Sequence, residues 1–124
     1  MGTKRPRPVV LDAGALIAVD RADRRVIRLV ELALDVHVPA GALAQAWRNP
    51  PGSACTRRVI GWCRDPPLDA VSARAAGQLC AATSTSDVID ASVVLVARVV
   101  NGVTVTSDSD DLRRLDPSIE LVRC

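Results

Sequence analysis

Short apolar runs alternate with longer helical segments along this chain. Four of these short runs are typical of buried strands, and they lie at 8–11, 36–38, 103–106 and 119–122. Between them, the spacing of apolar and polar residues predicts helices at 13–19, 24–34, 40–47, 54–64, 70–82, 88–100 and 110–115. The pattern therefore predicts strands separated by helices from one end of the chain to the other.

The residues between these segments are typical of element ends. Pro39 stops the second strand, Asn101 and Gly102 give the long helix a left-handed end, and Ser53 is placed to cap the helix after the 48–52 loop. Segment 65–68 interrupts the helices and has room for a short strand. Because helices connect apolar strands, we expect right-handed crossovers and a parallel sheet covered on both faces. The predicted fold is one α/β domain over 1–124, a three-layer α/β/α sandwich.

Composition restricts what can fill this core. Hydrophobic residues make up 48% of the 124 residues but aromatic residues only 2%, with no Tyr and no Phe. The core must therefore consist of aliphatic side chains, and we expect Trp47 and Trp62 to pack within it rather than to stack on bases. No apolar run approaches the roughly 20 residues of a membrane span, and the first residues do not resemble a signal peptide. We therefore expect a cytoplasmic protein without a membrane partner.

Charge and cysteine usage exclude several classes of protein. The formal net charge is only +2, so bulk attraction to nucleic acid is not expected. Arginines nevertheless cluster, in a basic arm at 1–7 that we expect to be flexible and again at 24–28. The four cysteines form no C-x-x-C pair and His37 lies in an apolar strand, which disfavours a zinc site, a disulfide framework and a thiol nucleophile.

Acidic residues provide the candidate chemistry. Asp12 directly follows the first strand and Asp108 follows the third, so both are expected at the carboxyl edge of the sheet, where ligands bind in such folds. Asp87 and Asp90 begin the helix that leads to that third strand, and residues three apart share a helix face. Carboxylates this close repel one another unless a cation lies among them, and oxygen ligands without His or Cys select Mg²⁺ or Mn²⁺.

Structural roles compete with this interpretation for some of these acids. Asp87 follows Thr-Ser residues and is a natural helix N-cap, a role as well supported as a functional one. Asp110 is better explained as a first-turn acid favoured by the helix dipole, and Asp111 is open to the same explanation. Asp12, Asp90 and Asp108 lie in or after apolar segments and are the acids that surface solvation explains least well.

Four short segments, taken in order, resemble the PIN-domain proteins, and most of all the VapC-type toxins of bacterial toxin–antitoxin pairs. Each segment is short, but the ordered set covers nearly the whole chain after the basic arm. The segments are Val9-Val10-Leu11-Asp12, Leu43-Ala44-Gln45-Ala46-Trp47-Arg48, Asp90-Ala91-Ser92-Val93 and Thr106-Ser107-Asp108-Ser109-Asp110-Asp111-Leu112.

The resemblance implies an Mg²⁺- or Mn²⁺-dependent endoribonuclease that cleaves structured RNA such as tRNA or rRNA. It also implies inhibition by a VapB-type antitoxin and a homodimer. Within the site it implies catalytic and metal-binding roles for Asp12, Asp90 and Asp108, with Thr106 and Ser107 as the hydroxyl residues beside the last acid. Asp111 matches a further acid that is frequent in the family.

Gln45 departs from the family pattern. The family usually has Glu at this place, and an amide brings no charge and is a poor base, although its carbonyl can still ligate a metal. Asp87 or Asp111 could compensate for the missing charge. The alternative is a PIN-fold module with weak or no catalysis that binds RNA or protein.

Two other classes of protein are disfavoured. A receiver-type phosphoacceptor needs an acidic pair at the first strand and a Lys beyond a late strand, but Asp12 stands alone and the only Lys is Lys4. No glycine-rich loop follows a strand, which disfavours a nucleotide-binding module.

Overall fold

The computed structural model describes residues 6–47 and 54–124, and in them it confirms the predicted alternation of strands and helices. The expected cap at Ser53 lies outside the described residues. The elements, in chain order, are β1 (Val9–Leu11), α1 (Ala13–Asp20), α2 (Arg24–Leu32), β2 (Val36–His37), α3 (Ala40–Ala46), α4 (Ala54–Trp62), α5 (Ala70–Thr83), α6 (Val88–Val100), β3 (Val103–Thr106), α7 (Ser109–Leu115) and β4 (Leu121–Arg123).

The four strands form one parallel sheet in the order β2-β1-β3-β4. Val10 of β1 pairs with His37 on one side and Thr104 on the other, and Thr106 of β3 pairs with Arg123 of β4. All four carboxyl ends therefore meet at one edge, where β1 and β3 are direct neighbours. The predicted α/β fold with a central parallel sheet is confirmed.

Helices cover both faces of this sheet. Successive side chains of a strand point to opposite faces, so Val9 and Leu11 enter one core and Val10 enters the other. The first core joins them to α1, α2 and α4, and the second joins Val10 to α5, α6 and α7. The buried hydrophobic side chains in the described residues are all aliphatic apart from Cys80, as the composition requires.

In the described residues, the structure lacks one predicted strand, and most element ends differ from the prediction by one or two residues. Segment 65–68 forms no strand, although Arg64 just before it makes an isolated parallel bridge with His37. The last strand begins at Leu121 rather than at Ile119, because Asp116 holds a turn there: it accepts bonds from the amide and hydroxyl of Ser118 at 2.9 and 2.7 Å. The short helix α7 begins one residue early, at Ser109.

The expectation that both tryptophans pack in the core is wrong. Trp47 is 40% exposed and Trp62 is 48% exposed. Trp47 is the C-cap of α3 and Trp62 is the last residue of α4. Arg7 of the expected basic arm is held in place: it forms an ion pair with Glu120 and donates to the Asn101 carbonyl oxygen at 3.0 Å.

In the described part of the chain, no single helix is both long and apolar enough to cross a membrane. Only α5 and α6 taken together reach that length and composition, and they meet at a bend of 105°.

Candidate metal centre

Asp12 is fixed at the end of β1 by bonds from two directions. It caps α1, with one carboxylate oxygen accepting from the Ala15 amide at 2.8 Å, and its other oxygen accepts from the Thr106 hydroxyl. The residue is only 5% exposed. Burial raises the pKa of this carboxyl, and the hydrogen bonds from Thr106 and Ala15 oppose that rise.

Thr106 connects the first acid to the third strand. Its hydroxyl donates to Asp12 and accepts from the Asp108 amide at 2.8 Å, so its donor and an acceptor lone pair are both used. The side chain is fully buried. The Thr106 side chain thereby links the adjacent ends of β1 and β3. It also fixes the position of the backbone at Asp108, where the chain leaves β3.

Asp90 lies in the first turn of α6, next to the residue that caps it. Asp87 accepts from the amides of Ile89 and Asp90 at 3.0 and 2.9 Å, so the predicted N-cap role is real, and its carboxylate still lines the acidic cleft. The pKa of Asp90 is raised to about 7, first by burial and then by the nearby charges of Asp87, Asp108, Asp12 and Asp111. Burial and the neighbouring negative charges thus both disfavour the ionised form of Asp90, and a cation bound among these acids would favour it.

Asp108 and Asp111 complete the cluster from α7. One carboxylate oxygen each of Asp90, Asp108 and Asp111 lies within 4.8 Å of the others. The pKa of Asp108 is raised by loss of hydration first, and then by Asp111 and the more distant acids. Arg114 lies 3.6 Å from the other side of Asp111, a solvent-exposed ion pair of small energetic weight.

These acids surround a cleft of about 160 Å³ at the carboxyl edge of the sheet. Asp90 and Asp108 belong both to the cleft wall and to the oxygen cluster. Asp12, Asp87, Gln45 and Ser107 line the cleft without belonging to that cluster. The structure thus brings the sequence-predicted residues to one place. Thr106 and Asp111 do not line the cleft themselves, but Thr106 binds Asp12 and Asp111 belongs to the oxygen cluster.

Two glycines allow close approaches between elements around this site, and sequence reasoning missed both. Gly14 lines the cleft itself. A Cβ at Gly14 would lie 2.0 Å from the Ser107 hydroxyl oxygen and 3.0 Å from the Ser107 Cβ, so with any other residue Ser107 would have to shift away from the start of α1. A Cβ at Gly41 would lie 2.7 Å from the end of the Ile89 side chain, where α3 crosses α6. The signal available in the sequence was a glycine two residues after the strand-end Asp12.

The donor set fits a hard divalent cation. All the polar side chains that line the cleft offer oxygen ligands, and among the described residues neither His nor Cys lines it. The three clustered oxygens lie within 4.8 Å of one another, so rotation of the exposed and half-buried carboxylates could bring them onto one cation.

A second, larger groove of about 660 Å³ lies away from the acids. It is mainly apolar and is formed by the start of α5, the end of α6 and the segments around Pro39 and Pro67. Val71 and Val99 line this groove, and they are 74% and 86% exposed. An exposed apolar surface of this kind marks a binding surface more often than a site of acid–base chemistry.

This chain is similar to known proteins in its structure. No protein-family model matches the chain, and no curated protein matches it. Among solved structures, VapBC2 from Rickettsia felis, bound to a DNA fragment from its promoter, matches with a TM-score of 0.68, 13% identity and coverage of 94% of this chain and 98% of that one. FitAcB from Neisseria gonorrhoeae matches with a TM-score of 0.65 and 15% identity over 91% and 95% of the two chains.

A third match, PAE2754 from Pyrobaculum aerophilum, has a TM-score of 0.61 and 18% identity over 95% of this chain and 91% of that one. The Neisseria and Rickettsia structures are of toxin–antitoxin systems with PIN-domain toxins. At these identities the likeness shows the fold. The chain therefore has the fold of the PIN-domain toxins, as the resemblance in its sequence predicted.

Proposed function

We propose that this protein is the toxin of a toxin–antitoxin pair and acts as a metal-dependent endoribonuclease. The observation that supports this best is the acidic cleft itself: carboxylates from three elements lie together at the sheet edge, with a pKa for Asp90 of about 7. A protein pays for such repulsion in stability, and a bound cation removes that cost. The PIN-domain fold is consistent with this chemistry.

We assign Asp12, Asp90 and Asp108 as metal ligands and catalytic residues, with Asp111 as a further ligand. A bound Mg²⁺ or Mn²⁺ would supply polarisation of a phosphoryl oxygen and a more acidic water. Asp87 lines the cleft and would orient a water there or accept its proton. Thr106 holds Asp12 in position, and Ser107 offers a hydroxyl to the substrate side.

Gln45 gives one specific reason to keep the alternative function. It lines the cleft where a Glu would add a fifth carboxylate to the four aspartates, so the chain has one charge fewer than the related pattern. The alternative is a PIN-fold protein that binds RNA or protein and cleaves weakly or not at all. The two functions differ in whether a metal binds and whether RNA is cut.

Cleavage of RNA by the purified protein tests the proposal. Total tRNA and rRNA are incubated with Mn²⁺ or with EDTA, using wild type, Asp12→Asn, Asp90→Asn and the matched control Asp69→Asn. Asp69 caps α5 away from the cleft, and Asn preserves that cap. We expect cleavage only with Mn²⁺, retained by the control and reduced at least a hundredfold in the two site variants.

Each result decides between the functions. Cleavage in EDTA, or cleavage that survives both site substitutions, contradicts the metal mechanism. Absence of cleavage together with absence of Mn²⁺ binding by calorimetry supports the non-catalytic alternative.

Partners follow from the same proposal. The Rickettsia match is described as bound to promoter DNA together with its partner, so we propose a VapB-type antitoxin for this chain as well. We also propose a homodimer, in which the apolar groove with Val71 and Val99 is covered by a second copy. A toxin that cuts translational RNA would act in the cytoplasm.

A further inference from the structure

Three arginines stand along one side of α2 beside the last strand. Arg24, Arg25 and Arg28 line a wide groove of about 550 Å³ whose floor is formed by Leu29 and Val122. All three are exposed, and no carboxylate in the described part of the chain forms a salt bridge with them. We refer to this surface as the arginine groove.

The placement of these charges is unfavourable for the helix. Arg24 and Arg25 are the first two residues of α2, where the helix dipole favours anions. The N-cap Asp23 supplies one negative charge there, because its carboxylate accepts from the amides of Arg25 and Val26, but the first turn itself holds no acid. Arg24 and Arg28 are also four residues apart, a spacing at which like charges repel. A bound anion would relieve the repulsion among the arginines, so the arrangement favours a negatively charged ligand.

The arginine groove lies beside the acidic cleft on the same sheet edge. Arg25 donates to the Arg123 carbonyl oxygen at 2.7 Å, and Arg123 pairs with Thr106, whose hydroxyl binds Asp12. Neighbouring strands are about 4.8 Å apart. One short step across the sheet therefore separates Arg25 from the end of β3. This distance suits a ligand that extends from the cleft to the groove.

We infer that the arginine groove holds the phosphate backbone of an RNA strand on one side of the bond that is cut. This inference rests on the proposed function and adds the surface that binds the substrate. Guanidinium groups match phosphate geometry with two parallel hydrogen bonds. An acidic protein segment is the competing ligand, but the floor of two half-buried side chains offers little apolar area to anchor one.

Binding measured without cleavage separates this inference from the proposed function. A fluorescein-labelled stem–loop RNA is titrated in EDTA with wild type, with Arg24→Gln/Arg28→Gln, and with the control Arg58→Gln/Arg74→Gln. The control removes the same charge from exposed positions on α4 and α5. We leave Arg25 intact because it also holds β4. We expect about tenfold weaker binding of the groove variant and a salt slope smaller by about 2.

The control variant should bind within about twofold of wild type if specific phosphate contacts are lost only from the groove. If both variants bind RNA equally weakly, the loss of affinity comes from the lower net charge alone, and the inference is wrong. An equal loss of affinity for poly-L-glutamate would instead assign the groove to an acidic protein segment. If RNA binding depends on the arginine groove but no RNA is cut, the proposed nuclease activity is wrong. The inference that the groove binds RNA then still holds.

Discussion

One hydroxyl group determines how the two strand-end acids are arranged. Thr106 donates to Asp12 and accepts from the Asp108 amide, joining residues that are 94 positions apart in the sequence. The sequence placed each acid at a strand end, since the apolar runs stop there. It could not show the contact between Thr106 and Asp12, because that contact depends on β1 and β3 being neighbours in the sheet. Only the spatial order of the strands supplies this information.

Asp90 should make the metal-free protein less stable as pH rises. Its folded pKa of about 7 lies above the ordinary value of about 3.9, so the folded state binds the proton more tightly. The stability this provides is fully present below about pH 4 and is lost as pH rises towards 7. Asp90→Asn cannot lose a proton. We therefore expect its melting temperature in EDTA to exceed that of wild type increasingly between pH 5 and 8.

The same variant provides its own check. Adding Mn²⁺ should raise the melting temperature of wild type and leave that of Asp90→Asn nearly unchanged, because the variant lacks a ligand. A melting difference that stays constant from pH 5 to 8 would show that Asp90 does not titrate in this range.

Gln45→Glu should strengthen cation binding. Gln45 lines the cleft, so a carboxylate there adds one negative ligand. We expect Mn²⁺ to bind roughly tenfold more tightly by calorimetry, with faster RNA cleavage and a less stable metal-free protein. Gln78→Glu, on the exposed side of α5, is the matched control and should change neither property. If both variants bind Mn²⁺ alike, α3 does not contribute to the metal site.

At the scale of elements, the site depends on where helices begin. α1, α6 and α7 all begin at the carboxyl edge of the sheet, so Asp12, Asp90 and Asp108 face one cleft. The sequence predicted these starts well, because caps such as Asp87 and Asp12 are local signals. It did not predict how closely the helices approach. That distance depends on Gly14 and Gly41, whose neighbours come from other parts of the chain.

Gly14→Ala tests whether this close approach matters. Its Cβ would meet the Ser107 hydroxyl oxygen at 2.0 Å and the Ser107 Cβ at 3.0 Å, so the hydroxyl must rotate away and the β3–α7 turn must shift by a few tenths of an ångström. We expect a loss of about 1–3 kcal/mol in the free energy of unfolding by urea, together with weaker Mn²⁺ binding. Gly77→Ala in α5 meets nothing within 4 Å and should instead gain about 0.5–1 kcal/mol from helix propensity. Stabilisation by both substitutions would refute the steric role of Gly14.

At the scale of the whole molecule, the sequence predicted the layers better than the surfaces. Burial on both faces of a parallel sheet leaves continuous apolar runs, and these are visible without a structure. Surfaces depend on which helix faces remain uncovered. Trp47 and Trp62 were expected inside but are exposed, and the groove with Val71 and Val99 forms only when α5 packs against α6. Such features follow from tertiary contacts rather than from local pattern.

The exposed groove leads to a prediction about assembly. Val99 is 86% exposed and lines the apolar groove, and contiguous exposed apolar surface of this kind marks an interaction site. In a symmetric dimer both copies present the same groove, so one charge introduced at 99 appears twice and must be desolvated twice. We expect wild type to sediment as a dimer and Val99→Asp as a folded monomer in analytical ultracentrifugation. Leu32→Asp, at a 60% exposed position on α2, should remain dimeric, and a dimeric Val99→Asp would place the interface elsewhere.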